Sequence, residues 1–334
     1  MYTFLANFRD WLQKHDIVCT QEIYDDYDIL FANSWKVPSS LLSQVKKNNP
    51  KTKIVHRIDG SHKDYGGRLL NDHKQARSNL YADLTIFQSL YSRFATRTKY
   101  QVISSDGPII YNPVDIEIFI PSNKPFNSSE PIKVCVVSFS TNPSKGTGHI
   151  SELASENPQL EFVLCGRFPK LPSLANIKYL GVLKKEGLAS EMRKCSILLN
   201  LSKNESCPNV VLEGMASGLP VLYTDSGGTH ELVEDAGLPT TINTFRQDIT
   251  KITSSYEQFS ETSRERVMKH FTPDIIFEQY IKEFKSASYR DKPSTYSILK
   301  YQLNGYPIII NPLHLLIHKS RMLFKKIKLM LGTK

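Results

Sequence analysis

The chain predicts an α/β fold of two doubly wound, Rossmann-like domains facing a cleft. Three observations predict it. Short apolar runs alternate with helix-like stretches through residues 16–112. A Pro/Ser/Asn-rich segment, Ile120 to Pro131, interrupts the alternation with linker composition. A second alternating series opens at Ile132 and closes on a helix-like stretch ending at Ala287. The 334 residues, 40% of them hydrophobic, suffice for two cores.

The first element, MYTFLANFRDWLQKH, reads as an amphipathic helix. Arg9 and Asp10 fall inside it, so it lacks the basic start and apolar core of a signal peptide. Asp16 to Thr20, Tyr27 to Ala32, Lys53 to Ile58, Leu84 to Gln88 and Pro108 to Asn112 are apolar runs of a length suited to buried parallel strands. In the second series the strands are Ile132 to Ser140, Leu160 to Gly166, Ile177 to Leu183, Ser196 to Ser202 and Leu219 to Asp225. The last stretch, Thr272 to Ala287, reads as a helix returning to the first domain. The domains are therefore placed at 1–125 and 126–287, with a tail at 288–334.

The tail is a separate object by charge. Eleven Lys or Arg and two acids lie in residues 281–334, the whole net charge of +9, which leaves 31 basic and 31 acidic residues in the rest. A neutral body argues against a nucleic-acid-binding face there. Residues 300–334 hold seven basic residues and no acid, interleaved with apolar ones. Pro307 and Pro312 break the first apolar run, which is too short to span a bilayer. Residues 315–331 suit a basic amphipathic helix on an anionic membrane surface, or one packed on the protein with its lysines in water.

No run of about 18 apolar residues occurs, so no spanning helix is expected. Of the five cysteines, Cys135, Cys165 and Cys195 lie in or beside apolar runs and read as buried small hydrophobes, while Cys19 is expected to end a strand. None has the spacing of a zinc site or a disulfide framework. A reducing cytoplasm fits, with the tail able to bring the chain to the inner face of a membrane.

The most informative stretch runs from Ser196 to Gly237: strand, acidic loop, helix, strand, glycine loop, helix. Its polar residues collect at the carboxyl ends of strands, where open α/β sheets bind ligands. Glu205 and Glu213 lie eight residues apart around a helix start. Pro208 suits a first helical turn, and Asn209, Val210 and Val211 then offer backbone N–H groups to a phosphate. Glu213, one turn further in, is within reach of a ribose. Glu205 stays in the loop, free to meet a sugar.

This stretch resembles glycosyltransferase family 4, the retaining, nucleotide-sugar-dependent enzymes of the GT-B fold. The Glu-x7-Glu motif falls on Glu205 and Glu213. The likeness continues through GMASGLPVLYTDSGGTHELV, with its small-residue helix, Gly-x-Pro-Val strand and Gly-Gly loop. HRIDG (His56 to Gly60), YNPVDIEIF (Tyr111 to Phe119) and SFSTNPSKG (Ser138 to Gly146) follow the family's order. Ser140 stands where the last loop usually carries an arginine; Lys145 and Gly146 are present. The family also opens with a strand and a glycine-rich loop, whereas this chain opens in the helix that follows them. The first domain is thus expected to lack its usual first strand.

The resemblance implies roles. Glu205 would lie against the transferred sugar, and Asp59 stands at the strand end where many relatives carry a histidine that touches it; these are the two candidate catalytic residues. Lys145, Gly146, Asn209, Val210 and Val211 would bind the donor diphosphate, Glu213 the ribose, and Gly227 and Gly228 would allow close approach of the sugar. No cofactor or metal is expected, the class needing none. The partners implied are a nucleotide-sugar donor and a glycan or lipid-linked acceptor in polysaccharide or glycoconjugate synthesis. Plainer readings exist: Lys145 as a solvated loop lysine, Glu205 as an acid that answers a helix dipole, Gly227 and Gly228 as an ordinary turn, and Asp59 in an ion pair with Arg57.

Chemistry of other classes is less well served. A glycoside hydrolase needs a second carboxylate on the opposite face, and none has a clear claim. A dehydrogenase would need GxGxxG after a strand. A catalytically inactive nucleotide-sugar-binding protein and a GT-B epimerase are the alternatives.

Overall fold

A computed structural model describes residues 3–22, 25–169 and 173–288. The elements of the first half are α1 (Thr3–Lys14), β1 (Ile29–Asn33), α2 (Ser39–Asn48), β2 (Lys53–Ile58), α3 (Leu69–Asn79), β3 (Leu84–Phe87) and α4 (Leu90–Arg93). The second half begins β4 (Lys133–Ser138), α5 (Ile150–Glu156), β5 (Glu161–Gly166), β6 (Ile177–Gly181), α6 (Lys185–Met192), β7 (Ile197–Asn200) and α7 (Asn209–Ala216). It ends β8 (Val221–Tyr223), α8 (Thr229–Val233), β9 (Gly237–Pro239), α9 (Phe245–Ser254), α10 (Tyr256–His270) and α11 (Pro273–Ser286).

The strands form two parallel sheets, one of three strands in the order β1-β2-β3 and one of six in the order β6-β5-β4-β7-β8-β9. In the larger sheet the chain starts at β4, winds outward through β5 and β6, then returns to β7 on β4's other side. The loops after β4 and β7 therefore diverge, and open a crevice at their carboxyl ends. This reversal places Lys145 beside Glu205.

Both faces of each sheet are covered, as parallel sheets require. On the larger sheet, Cys135, Val163 and Leu198 face a core completed by α7, while Val134, Leu164 and Leu199 face one completed by α5 and α9. On the smaller sheet, Leu30, Ala32 and Ile54 pack on α2. Its other face, with Val55 and Ile86, carries Phe8 and Trp11 of α1 and Ile276, Phe277 and Tyr280 of α11. The final helix thus returns to the first half, as its apolar face predicts. The Trp11 indole N–H donates to Asp274 at 2.6 Å, and Phe8 stacks on Phe277 at 4.8 Å between centroids.

Several expectations change. Asp16 to Thr20 is no strand: Asp16 has φ +57° and Val18 is 97% exposed, while Ile17 packs on the core beneath α1. Cys19 accordingly ends no strand. Pro108 to Asn112 contributes one isolated bridge, Ile109 to Phe87, instead of a strand. β9 has the composition of a turn and was not expected. No strand precedes α1 among the described residues. Among them no helix is long and apolar enough to cross a membrane. The tail beyond residue 288 lies outside the described residues.

Candidate functional site

The site assembles from loops at four strand ends: β2, β4, β7 and β8. The β4 loop folds back through local hydrogen bonds. Asn142 Oδ1 accepts from the Ser144 N–H at 3.0 Å, starting a short turn that ends in Gly146 at φ +67°. That left-handed backbone favours glycine, and a Cβ there would collide with the Leu201 carbonyl. The Lys203 N–H then donates to the Ser144 carbonyl at 2.7 Å, tying the β4 and β7 loops together.

Lys145 Nζ donates to Glu205 Oε1. Lys145 is not the solvated side chain of its plainer reading: the Lys145 and Glu205 side chains are 24% and 19% exposed. Glu205 Oε2 is buried without a hydrogen-bond partner among the described residues. One oxygen of the carboxylate is thus committed and the other is buried unpaired, which is costly for an acceptor.

The glycine loop supports Glu205 from beneath. The Gly228 N–H donates to the Glu205 carbonyl at 2.7 Å. A Cβ on Gly227, whose φ is +76°, would strike the Glu205 backbone, and one on Gly228 would strike the Ser206 carbonyl. In this structure both glycines serve contact between two backbones, beyond a plain turn.

The helix start expected at Pro208 is present, with Pro208 as the residue before it and α7 opening at Asn209. The Val211 N–H is already bonded to the Pro208 carbonyl at 3.1 Å, leaving Asn209 and Val210 as the open amides. Glu213 lies on the same helix face as Asn209. Both line a small cavity with Phe4 and Asn7 of α1, Asp115 and Lys185. Burial pushes the Glu213 carboxyl up to about 7, with Lys185 acting in the opposite direction. A larger open groove of about 310 Å³ lies elsewhere, at the amino-terminal end of β1, beside Tyr27 and Val45.

Asp59 follows β2 and accepts from the Ser34 hydroxyl at 2.6 Å. It makes no ion pair with Arg57. Arg57 is buried and instead donates to the Tyr280 hydroxyl (3.0 Å), Asn33 (2.8 Å), Gln88 (2.9 Å) and Asn112. Asn112 passes the connection on to Asn209 at 2.7 Å and to the Cys207 carbonyl at 3.1 Å. The motif YNPVDIEIF therefore acts as a strut between the halves, with Asp115 paired to Lys185 at 2.6 Å and Phe119 buried.

Tyr65 is the residue that sequence reasoning missed. Its hydroxyl accepts from the Ser206 N–H at 2.8 Å and donates to the Ser206 hydroxyl at 3.1 Å. Asn142 donates to its carbonyl at 2.9 Å. Burial, and then the Glu205 and Asp59 carboxylates, raise its ionisation range. Tyr65 is therefore held neutral, donates to Ser206, and joins the β2, β4 and β7 loops. Its signal in the sequence was the loop GSHKDYGG directly after a strand, with glycines at both ends.

Residues 147–254 match the family model described as Glycosyl transferases group 1. An uncharacterized glycosyltransferase of Methanocaldococcus jannaschii is 43% identical over 63 residues, covering 19% of this chain and 18% of that protein. The chain thus matches about a fifth of that curated relative's length. Among solved structures, sucrose-phosphate synthase from Thermosynechococcus elongatus aligns at TM-score 0.65 and 18% identity, over 84% of this chain and 76% of the other. Anabaena HepE in complex with UDP aligns at TM-score 0.63 and 19% identity, over 84% and 82%. These likenesses establish the fold: α/β with parallel sheets, as in GT-B glycosyltransferases.

Proposed function

We propose that this chain is a retaining glycosyltransferase of the family 4 type. It moves a sugar from a nucleoside-diphosphate donor to a glycan or lipid-linked acceptor in polysaccharide or glycoconjugate synthesis. The observation that carries this reading is Glu205, half-paired by Lys145 and with a free buried oxygen, at the switch point of the larger sheet. The match of residues 147–254 to group 1 glycosyl transferases and the UDP held by a neighbour of the same fold support it.

On this reading the diphosphate approaches Lys145 and the open amides of Asn209 and Val210, a cation and a helix start that suit an anion. Glu213 receives the ribose hydroxyls. Glu205, released in part from Lys145, turns to the sugar and offsets positive charge growing at C1. The bond from C1 to the diphosphate breaks as the acceptor oxygen bonds to C1 on the same face. The acceptor proton passes to the leaving phosphate oxygen. Lys145 and the helix start stabilise that oxygen's charge through groups already in place, a kind of preorganisation worth two to three orders of magnitude per donor group, roughly.

The test is a panel of uridine, guanosine and adenosine diphosphate sugars offered to the full chain, with binding and nucleoside diphosphate release both measured. Release from one of them supports the proposal. Binding without release, with water or any glycan acceptor, favours an inactive nucleotide-sugar-binding protein. Neither binding nor release with any donor contradicts both.

A further inference from the structure

Glu231 stands in the first turn of α8, three residues after Gly228, yet its carboxylate serves the other half of the molecule. Oε2 accepts from the Leu90 N–H at 2.7 Å and from the Tyr111 hydroxyl at 3.1 Å; Oε1 accepts from the Tyr91 N–H at 2.6 Å. A carboxylate accepting from two backbone amides is a charge-assisted contact, stronger than a neutral one. Arg266 of α10 holds the same turn from behind, donating to the Glu231 carbonyl at 2.8 Å and the Leu232 carbonyl at 2.6 Å. The turn is thus fixed to α10 on one side and to residues 90, 91 and 111 on the other.

Upstream, the same short segment carries the Glu205 loop. Gly228 bonds the Glu205 carbonyl, and the Asn204 N–H donates to Ser226 Oγ at 3.0 Å. A displacement of α8 therefore reaches the Glu205 peptide through three covalently linked residues. Further contacts tie the same loop to the first half: Tyr65 with Ser206, Tyr91 and the Asp64 carbonyl with Asn204, and Asn112 with the Cys207 carbonyl.

We propose that Glu231 is a positioning residue for Glu205. It sets the register of the Glu205 loop against the three-stranded half, so that Glu205 and Asp59 address one sugar. The inference rests on the donor-site reading above for its catalytic consequence, and on geometry alone for the coupling.

Hydrogen exchange on the full chain tests the coupling, with UDP titration and donor kinetics beside it. In Glu231→Ala, exchange should rise at residues 90–91 and, together with them, at residues 204–206. The Kd for UDP should stay within about twofold of wild type, while kcat falls tenfold or more. Glu231→Gln, which keeps one acceptor oxygen, should restore part of kcat and part of the protection at 204–206. It also serves as the readout if the alanine variant fails to fold. Faster exchange at 90–91 alone, with 204–206 and kcat unchanged, would overturn the proposal. Absence of UDP binding and donor turnover in wild type would instead sink the donor reading and leave the exchange result to judge the coupling.

Discussion

Lys145 and Glu205 form an ion pair across the switch point of the larger sheet, and the second Glu205 oxygen is buried without a partner. The residue expected to meet a diphosphate is therefore held by the residue expected to meet a sugar. On the proposed reading, a donor entering this crevice would compete with Glu205 for Lys145 and offer the second oxygen hydrogen bonds.

Lys145→Ala leaves a mostly buried carboxylate without its cation. It should cost about 1–3 kcal/mol of stability, less than a fully buried pair because both side chains keep some contact with water. Glu205→Gln should cost less. The double variant Lys145→Ala/Glu205→Gln should be less destabilised than the two single losses summed, which denaturant melts would reveal as a coupling energy.

Glu213 titrates near 7 because burial opposes its charge. A raised carboxylate pKa means the folded state binds the proton more tightly than the unfolded chain. Stability from this group is complete below about 4.5 and declines as pH rises towards 7 and above. Glu213→Gln should therefore be more stable than wild type at pH 8 and equal to it at pH 4. Ribose hydroxyls favour the ionised form, so UDP-sugar affinity should rise on the order of tenfold from pH 6 to pH 8 in wild type. Calorimetric titration of Glu213→Gln should lose that rise.

Gly228→Ala needs no forbidden backbone angle, since its φ is −91°. Its Cβ would still collide with the Ser206 carbonyl. The substitution should destabilise by about 1–3 kcal/mol, as overpacking does, and should disturb the Glu205 loop enough to lower turnover at least tenfold. Gly148→Ala meets open space and serves as the control. Equal melting temperatures and rates for the two variants would remove the support role given to Gly228.

The basic tail carries a prediction from its composition alone. Seven Lys or Arg in residues 300–334 are worth on the order of 1 kcal/mol each near anionic lipid, less with salt. The full chain should co-sediment with anionic vesicles at low salt, and a chain ending at Ser294 should not. Equal binding would exclude a membrane role for the tail.

Much of the fold was legible because strands such as Lys133–Ser138 and Ile197–Asn200 are buried almost throughout, and continuous burial leaves a largely apolar run in the sequence. The run at Asp16 misled because Ile17 does pack on the core, yet Asp16 takes a left-handed backbone and Val18 faces water. β9 was hidden for the converse reason. Its Gly-Leu-Pro reads as a turn, yet Gly237 is what lets the chain lie against Val221, where a Cβ would collide. In the site, Glu205 and Glu213 were legible from their spacing within one βαβ unit, and Lys145 from the resemblance of its own loop, Ser138 to Gly146, to the family's. The partners of Asp59, the bridging place of Tyr65 and the reach of Glu231 were not. Each depends on contact between segments far apart in the chain, up to 141 residues for Tyr65 with Ser206, and no local pattern records that.

The most direct test of the account is a proton NMR time course of the reaction with whichever nucleotide sugar the full chain consumes, following the anomeric proton of the first product. The account predicts an early product with the donor's own anomeric configuration, formed at least a hundredfold more slowly by Glu205→Ala. A first product of inverted configuration, or an unchanged rate in Glu205→Ala, would contradict it.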